Sequence, residues 1–153
     1  MRIILVLFIF LSACNSGRQK DAVSFKDLEP LQGNWSGKQA VLSNDDLSVT
    51  DYPTTMLISL LKDSLELSVT NTYTDGHQET EKGILSINKD GSQLSLGPGE
   101  YTIQKITRTK DELTIMAFKT DEDNDKPADI RLTTIIRANE LIMLREVKYT
   151  GTD

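Results

Sequence analysis

The sequence holds one cysteine, one histidine and one tryptophan among 153 residues. The single Cys14 excludes an intrachain disulfide and a cysteine-based metal cluster. The single His77 cannot build a histidine-rich metal site, and no serine near it has a recognisable nucleophile context. Basic residues are outnumbered, 17 Lys and Arg against 23 Asp and Glu, giving a net charge of −6. That sign argues against nucleic acid as a partner and against electrostatic adhesion to anionic lipid. The longest apolar run, residues 3–11, is nine residues, whereas a helix needs about 20 to cross a bilayer. No long helical pattern is present. These absences leave no expected catalytic residue, no cofactor and no metal site.

What is present begins with a leader. Arg2 precedes the apolar run, and the pair has the anatomy of a signal peptide. The run ends in Leu11-Ser12-Ala13-Cys14, which resembles the lipobox of bacterial lipoproteins. The resemblance implies cleavage before Cys14 and acylation of its thiol, with palmitate among the acyl groups. A covalent lipid then ties the chain to a membrane without a spanning helix. The other reading is an ordinary signal peptide with an incidental cysteine. The expected division is therefore a signal peptide over 1–13, a lipidated flexible tether over 14–29 and one folded domain over 30–153. The expected address is the bacterial cell envelope, at the outer membrane, on its periplasmic face or the cell surface. Gln19-Lys20-Asp21 resembles the short charged signals that send some lipoproteins to the surface, and reads equally as polar linker. One helical turn is expected near Phe25, just before Pro30.

From Trp35 onward the pattern has a period of two. Leu65, Leu67 and Val69 alternate with Ser64, Glu66, Ser68 and Thr70, as in a strand with one buried face. Turn residues at Asp75-Gly76, Lys89-Asp90-Gly91, Gly97-Pro98-Gly99, Lys110-Asp111 and Ala138-Asn139 separate further runs. Nine strands are predicted, over 35–42, 54–61, 64–70, 78–88, 93–96, 101–107, 113–118, 130–137 and 141–147, with 47–52 as a possible tenth. Short strands joined by hairpins imply an all-β antiparallel up-and-down barrel of eight to ten strands. Closure of such a meander requires an even count, and a closed barrel is preferred over an open sheet because it removes exposed edges.

Leu31-x-Gly33-x-Trp35, at the start of this series, resembles the Gly-x-Trp opening motif of lipocalins. Residues 101–115 look like the matching late hairpin of lipocalin-like bacterial lipoproteins. The likeness covers roughly residues 30–147, and it implies a calycin-type barrel with a central pocket for small apolar molecules. The chain departs from classical secreted lipocalins in having no cysteine pair and no room for a helix after the barrel. On this resemblance Gly33 lets the backbone pass closely, Trp35 plugs one end, and Arg145 lies over the tryptophan from the last strand.

Other constellations read more plainly. Asp121, Asp123 and Asp125 have the spacing of an incipient calcium loop, but Lys126 and Leu132 stand where its glycine and bidentate glutamate belong. A solvated loop is the better reading. Glu79 and Glu81 share one strand face without an accompanying site. The remaining feature is the apolar face. Met56, Leu67, Val69, Leu85, Ile103 and Ile115 are the candidate lining of an interior, with Asn71 and Tyr73 as polar groups at its mouth. The favoured function is a monomeric, non-catalytic, membrane-anchored lipocalin-like protein binding a small hydrophobic ligand. The alternative is a protein–protein or inhibitor module acting through loops at 43–52 and 119–129.

Overall fold

The computed structural model describes residues 22–42 and 48–151. Cys14, the leader and the Gln19-Lys20-Asp21 triplet lie outside the described residues. The described residues form nine strands, most with the alternation read at Leu65: β1 (Gly33–Leu42), β2 (Val49–Leu60), β3 (Leu65–Thr72), β4 (Gln78–Ile87), β5 (Gln93–Leu96), β6 (Gly99–Arg108), β7 (Glu112–Asp123), β8 (Lys126–Arg137) and β9 (Glu140–Tyr149). Each pairs antiparallel with the next, in sequence order, within one sheet. The sheet curls through about 270° into a half-barrel with almost no helix.

Closure does not follow. Nine is odd, so in an up-and-down meander β1 and β9 run in the same direction and cannot share an antiparallel ladder. The possible tenth strand is instead the first part of β2, which continues through Pro53. Pro53 is tolerated there because β2 pairs with β1 at that level, opposite Lys38, while the β2–β3 ladder begins only at Thr54. A missing N–H on an unpaired side costs no ladder bond.

The concave face carries the core. Ile58, Leu65, Leu85, Leu94, Ile115 and Ile130 are almost wholly buried, each on the inward phase of its strand. The irregularity between Ile103 and Lys105 on β6 resets that phase, so Ile103 and Ile106 both pack on the core. One polar side chain is enclosed with them. Thr134 is 1% exposed and its Oγ1 has no hydrogen-bond partner. An unsatisfied buried hydroxyl is costly, so Thr134→Val is expected to raise stability by about 1 kcal/mol. Urea unfolding checks this, and an unchanged or lower midpoint would show that the hydroxyl is satisfied.

Part of the expected tether is folded. Phe25–Asp27 and Glu29–Leu31 form two short 3-10 turns, and Val23, Leu28 and Leu31 are buried against the barrel. Asp27 takes the Ser24 N–H at 2.8 Å and pairs with Arg108 at 2.8 Å. Pro30 lies beside the β6–β7 and β8–β9 turns. The domain therefore starts before residue 30. These turns cover one end of the half-barrel, where Trp35 also packs against the core. Trp35 is half-buried at that end, and its Nε1 donates to the Leu31 carbonyl at 2.8 Å.

Candidate functional site

In a meander, alternate turns gather at the same end. The N-terminal lid covers the end that holds the β4–β5, β6–β7 and β8–β9 turns. The opposite end, with the β3–β4 and β7–β8 turns, is not covered by that lid. The inward phase of β2 and β3 leads there from the core. Ile58 pairs with Leu67, Met56 with Val69, and Thr54 with Asn71.

The candidate lining residues divide along this axis. Leu67, Leu85 and Ile115 are buried among other core side chains and form the floor. Met56, Val69, Asn71, Tyr73 and Ile103 are half-buried. Thr54 Oγ1 lies 2.7 Å from Asn71 Oδ1, which joins the two strands just above Met56 and Val69.

Beyond Asn71 the wall becomes aromatic and acidic. The Tyr52 and Tyr73 rings meet at 61° with centroids 4.9 Å apart. His77 stacks on Tyr73 at 5.8 Å. Tyr73 Oη donates to Glu79 Oε2 at 3.0 Å, and His77 Nε2 lies 3.3 Å from Glu79 Oε1. The Asp75 carboxylate takes the His77 N–H at 2.9 Å, shaping the turn. These residues, with Thr50 and Thr74, line a shallow pocket of about 470 Å³. The hydrogen bond to Glu79 pushes the Tyr73 phenol above its ordinary value, with burial and the charges of Glu79 and Glu81 acting the same way.

The facing wall comes from β6 to β9 and is ionic. Lys119 Nζ stands 5.1 Å from the Tyr101 ring centroid and 2.7 Å from Asp121. Arg145 pairs with Asp123 at 2.5 Å, and Tyr149 Oη donates to the same carboxylate at 2.7 Å. Two expectations change here. Arg145 turns to Asp123, near the β7–β8 turn, rather than lying over Trp35 at the lidded end. The acidic run at 119–129 is not a loop but the paired arms of β7 and β8. Their turn is Asn124-Asp125, both with positive φ, 51° and 59°, which suits the right-handed twist of a hairpin. Asp121 and Asp123 are thus neutralised in place by Lys119 and Arg145.

Hydrogen bonds from Arg145 and Tyr149 hold Asp123 below the ordinary carboxylate value of 3.8. For Asp27 burial pushes upward, but hydrogen bonds from Arg108 and the Ser24 backbone outweigh it and leave that group low as well. A carboxylate depressed by folding stabilises the fold above its unfolded pKa, and that contribution is lost as pH falls through the folded value. Stability is therefore expected to drop below about pH 4, and to drop less steeply in Asp123→Asn. Urea midpoints followed from neutral to acid pH test this, and parallel curves for the two proteins would exclude Asp123 as a contributor.

Tyr52 and His77 were not among the residues expected at a site. Tyr52 follows from counting the Met56 phase back by two residues at a time, through Thr54. No family model matches this chain, and no curated protein or solved structure gives a significant match to it.

Proposed function

We propose that the chain is a non-catalytic, lipocalin-like binding protein of the bacterial cell envelope, anchored by a lipid on Cys14, that holds a small apolar ligand on its concave face. The observation that supports a ligand is the step in burial along β2 and β3. Ile58 and Leu67 are closed over, while Met56 and Val69, one pleat further on, are only half-buried beneath the polar pair Thr54 and Asn71. An apolar surface under a few fixed polar groups is the usual form of a small-molecule site.

The anchor and the ligand are tested separately. Cys14→Ser expressed in a bacterial host should leave the detergent phase and lose palmitate labelling, and unchanged partitioning would defeat the anchor. Native mass spectrometry of gently extracted protein should show a retained small molecule. Val69→Ser should lose it while keeping its circular dichroism, and retention by that variant would place the ligand elsewhere.

A second reading has its own observation. Val41, Leu42 and Val49 are 45%, 56% and 63% exposed at the outer end of the β1–β2 hairpin. Exposed apolar side chains clustered at a hairpin end suit a protein partner. Residues 43–47, between them, lie outside the described residues.

A further inference from the structure

The pocket at the β3–β4 turn has a chemistry that an apolar ligand alone leaves unused. It is lined by two tyrosines, a histidine, two threonines and the carboxylates of Asp75 and Glu79, with no lysine or arginine among them. Glu81 stands one pleat deeper on the same face, opposite Val69. The tyrosine rings meet at 61°, so they form a corner rather than a parallel stack. Aromatic faces attract cations through their quadrupole, and a carboxylate at the rim adds direct charge. An anionic ligand would meet repulsion here, whereas a cation adds to the neutral Tyr73 hydrogen bond on Glu79 a charge that the carboxylate and the aromatic faces both attract.

The corner also continues the proposed ligand surface. Tyr52, Thr54 and Met56 are successive inward residues of β2, and Tyr73 and Asn71 lead down to Val69 in the same way beside them. Four residues of extended strand separate Tyr52 from Met56, a reach of about 13 Å.

We infer that the ligand is a cationic amphiphile, its alkylammonium head seated against Tyr52, Tyr73 and Glu79 and its apolar body lying on Met56 and Val69. This rests on the reading of the concave face as a ligand site. It adds the head group and its charge.

The test uses the Cys14→Ser chain, which carries no acyl group of its own, with calorimetry against three soluble probes of equal tail length: decyltrimethylammonium, decanol and decanoate. Decyltrimethylammonium should bind at least about tenfold more tightly than decanol, the equivalent of about 1.4 kcal/mol. Glu79→Gln should remove most of that advantage without altering decanol binding. Tyr73→Leu should do the same, and circular dichroism establishes that each variant is folded. Met56→Ser should weaken decyltrimethylammonium while leaving the weak binding of tetramethylammonium unchanged. Equal affinity for decyltrimethylammonium and decanol would overturn the cation site and leave the apolar reading standing. Tighter binding of decanoate would overturn it in favour of the Lys119 and Arg145 wall. Binding of none of the three would overturn both the inference and the reading beneath it. Phosphatidylcholine vesicles, which offer the same quaternary ammonium on a membrane, should not bind, because their tails cannot reach Met56. Binding to vesicles alone would defeat a free amphiphile.

Discussion

Replacing Gly91 with alanine is expected to destabilise the fold by about 2–5 kcal/mol, combining left-handed backbone strain with overpacking. Gly91 has φ +69°, in the turn between β4 and β5. A Cβ added there would stand 2.5 Å from the Val23 carbonyl oxygen and 3.1 Å from the Val23 nitrogen. Those are backbone atoms of a segment that is itself pinned, since Val23 is 2% exposed. Relief therefore requires the lid to lift, which uncovers buried apolar surface. Gly91→Asn separates the two effects. Asparagine accepts the left-handed conformation more readily than alanine but carries the same Cβ. If the asparagine variant is as unstable as the alanine variant by urea unfolding, the approach of the lid dominates. If it recovers most of the loss, backbone strain dominates. A loss for alanine below about 0.5 kcal/mol, the size of an ordinary surface change, would show that the lid does not press on this turn.

The strands were legible because most of them bury one face. Alternation locates Leu65 to Val69 directly, and turn residues at Gly76, Gly91 and Gly97 place the breaks. In the hairpin of β7 and β8 the outer arm of β7, residues 119–123, is polar on both faces, and on β8 only Ala128 is buried before Ile130. Residues 119–123 pair only with β8, so no apolar period marks them as strand. Their turn uses Asn124-Asp125 where a glycine would have signalled a hairpin. The lid was missed for a related reason. Val23, Leu28 and Leu31 are spaced irregularly along two single turns, and turns this short leave no periodic trace. Closure failed on a point the strand count already contained, because an odd meander leaves its edge strands parallel. For the candidate site, Asn71 and Tyr73 follow from extending the Leu65 phase past the last apolar residue. His77 and Glu79 did not follow, since what brings them together is the fold of the β3–β4 turn and not spacing on one strand.

Leu28→Ala should cost about 2–5 kcal/mol, the range for truncating a buried leucine where the surroundings cannot collapse. The side chain is wholly buried. It sits at the junction of the two 3-10 turns, where it caps the first and precedes the second. Its neighbours on the lid are tied down separately. Asp27 is held by Arg108, and the Leu31 carbonyl is held by the Trp35 indole. The lid is thus fastened on both sides of Leu28, and the cavity left by alanine has little freedom to close. Two outcomes distinguish a local from a global role. If the lid only frays, hydrogen exchange speeds up at residues 24–32 while the strands keep their protection, and the urea midpoint moves little. If the lid completes the core, protection of β4, β6 and β8 falls together and the midpoint moves by the full amount. The second outcome is expected, because Val23, Leu28 and Leu31 share one buried cluster with Ile58, Leu94 and Ile136. Combining Leu28→Ala with Gly91→Ala should then cost less than the sum of the single losses, since either change alone already loosens the same segment. Strict additivity would mean that the β4–β5 turn and the second half of the lid are independent, and that the end of the half-barrel is held by two separate contacts instead of one cooperative cap.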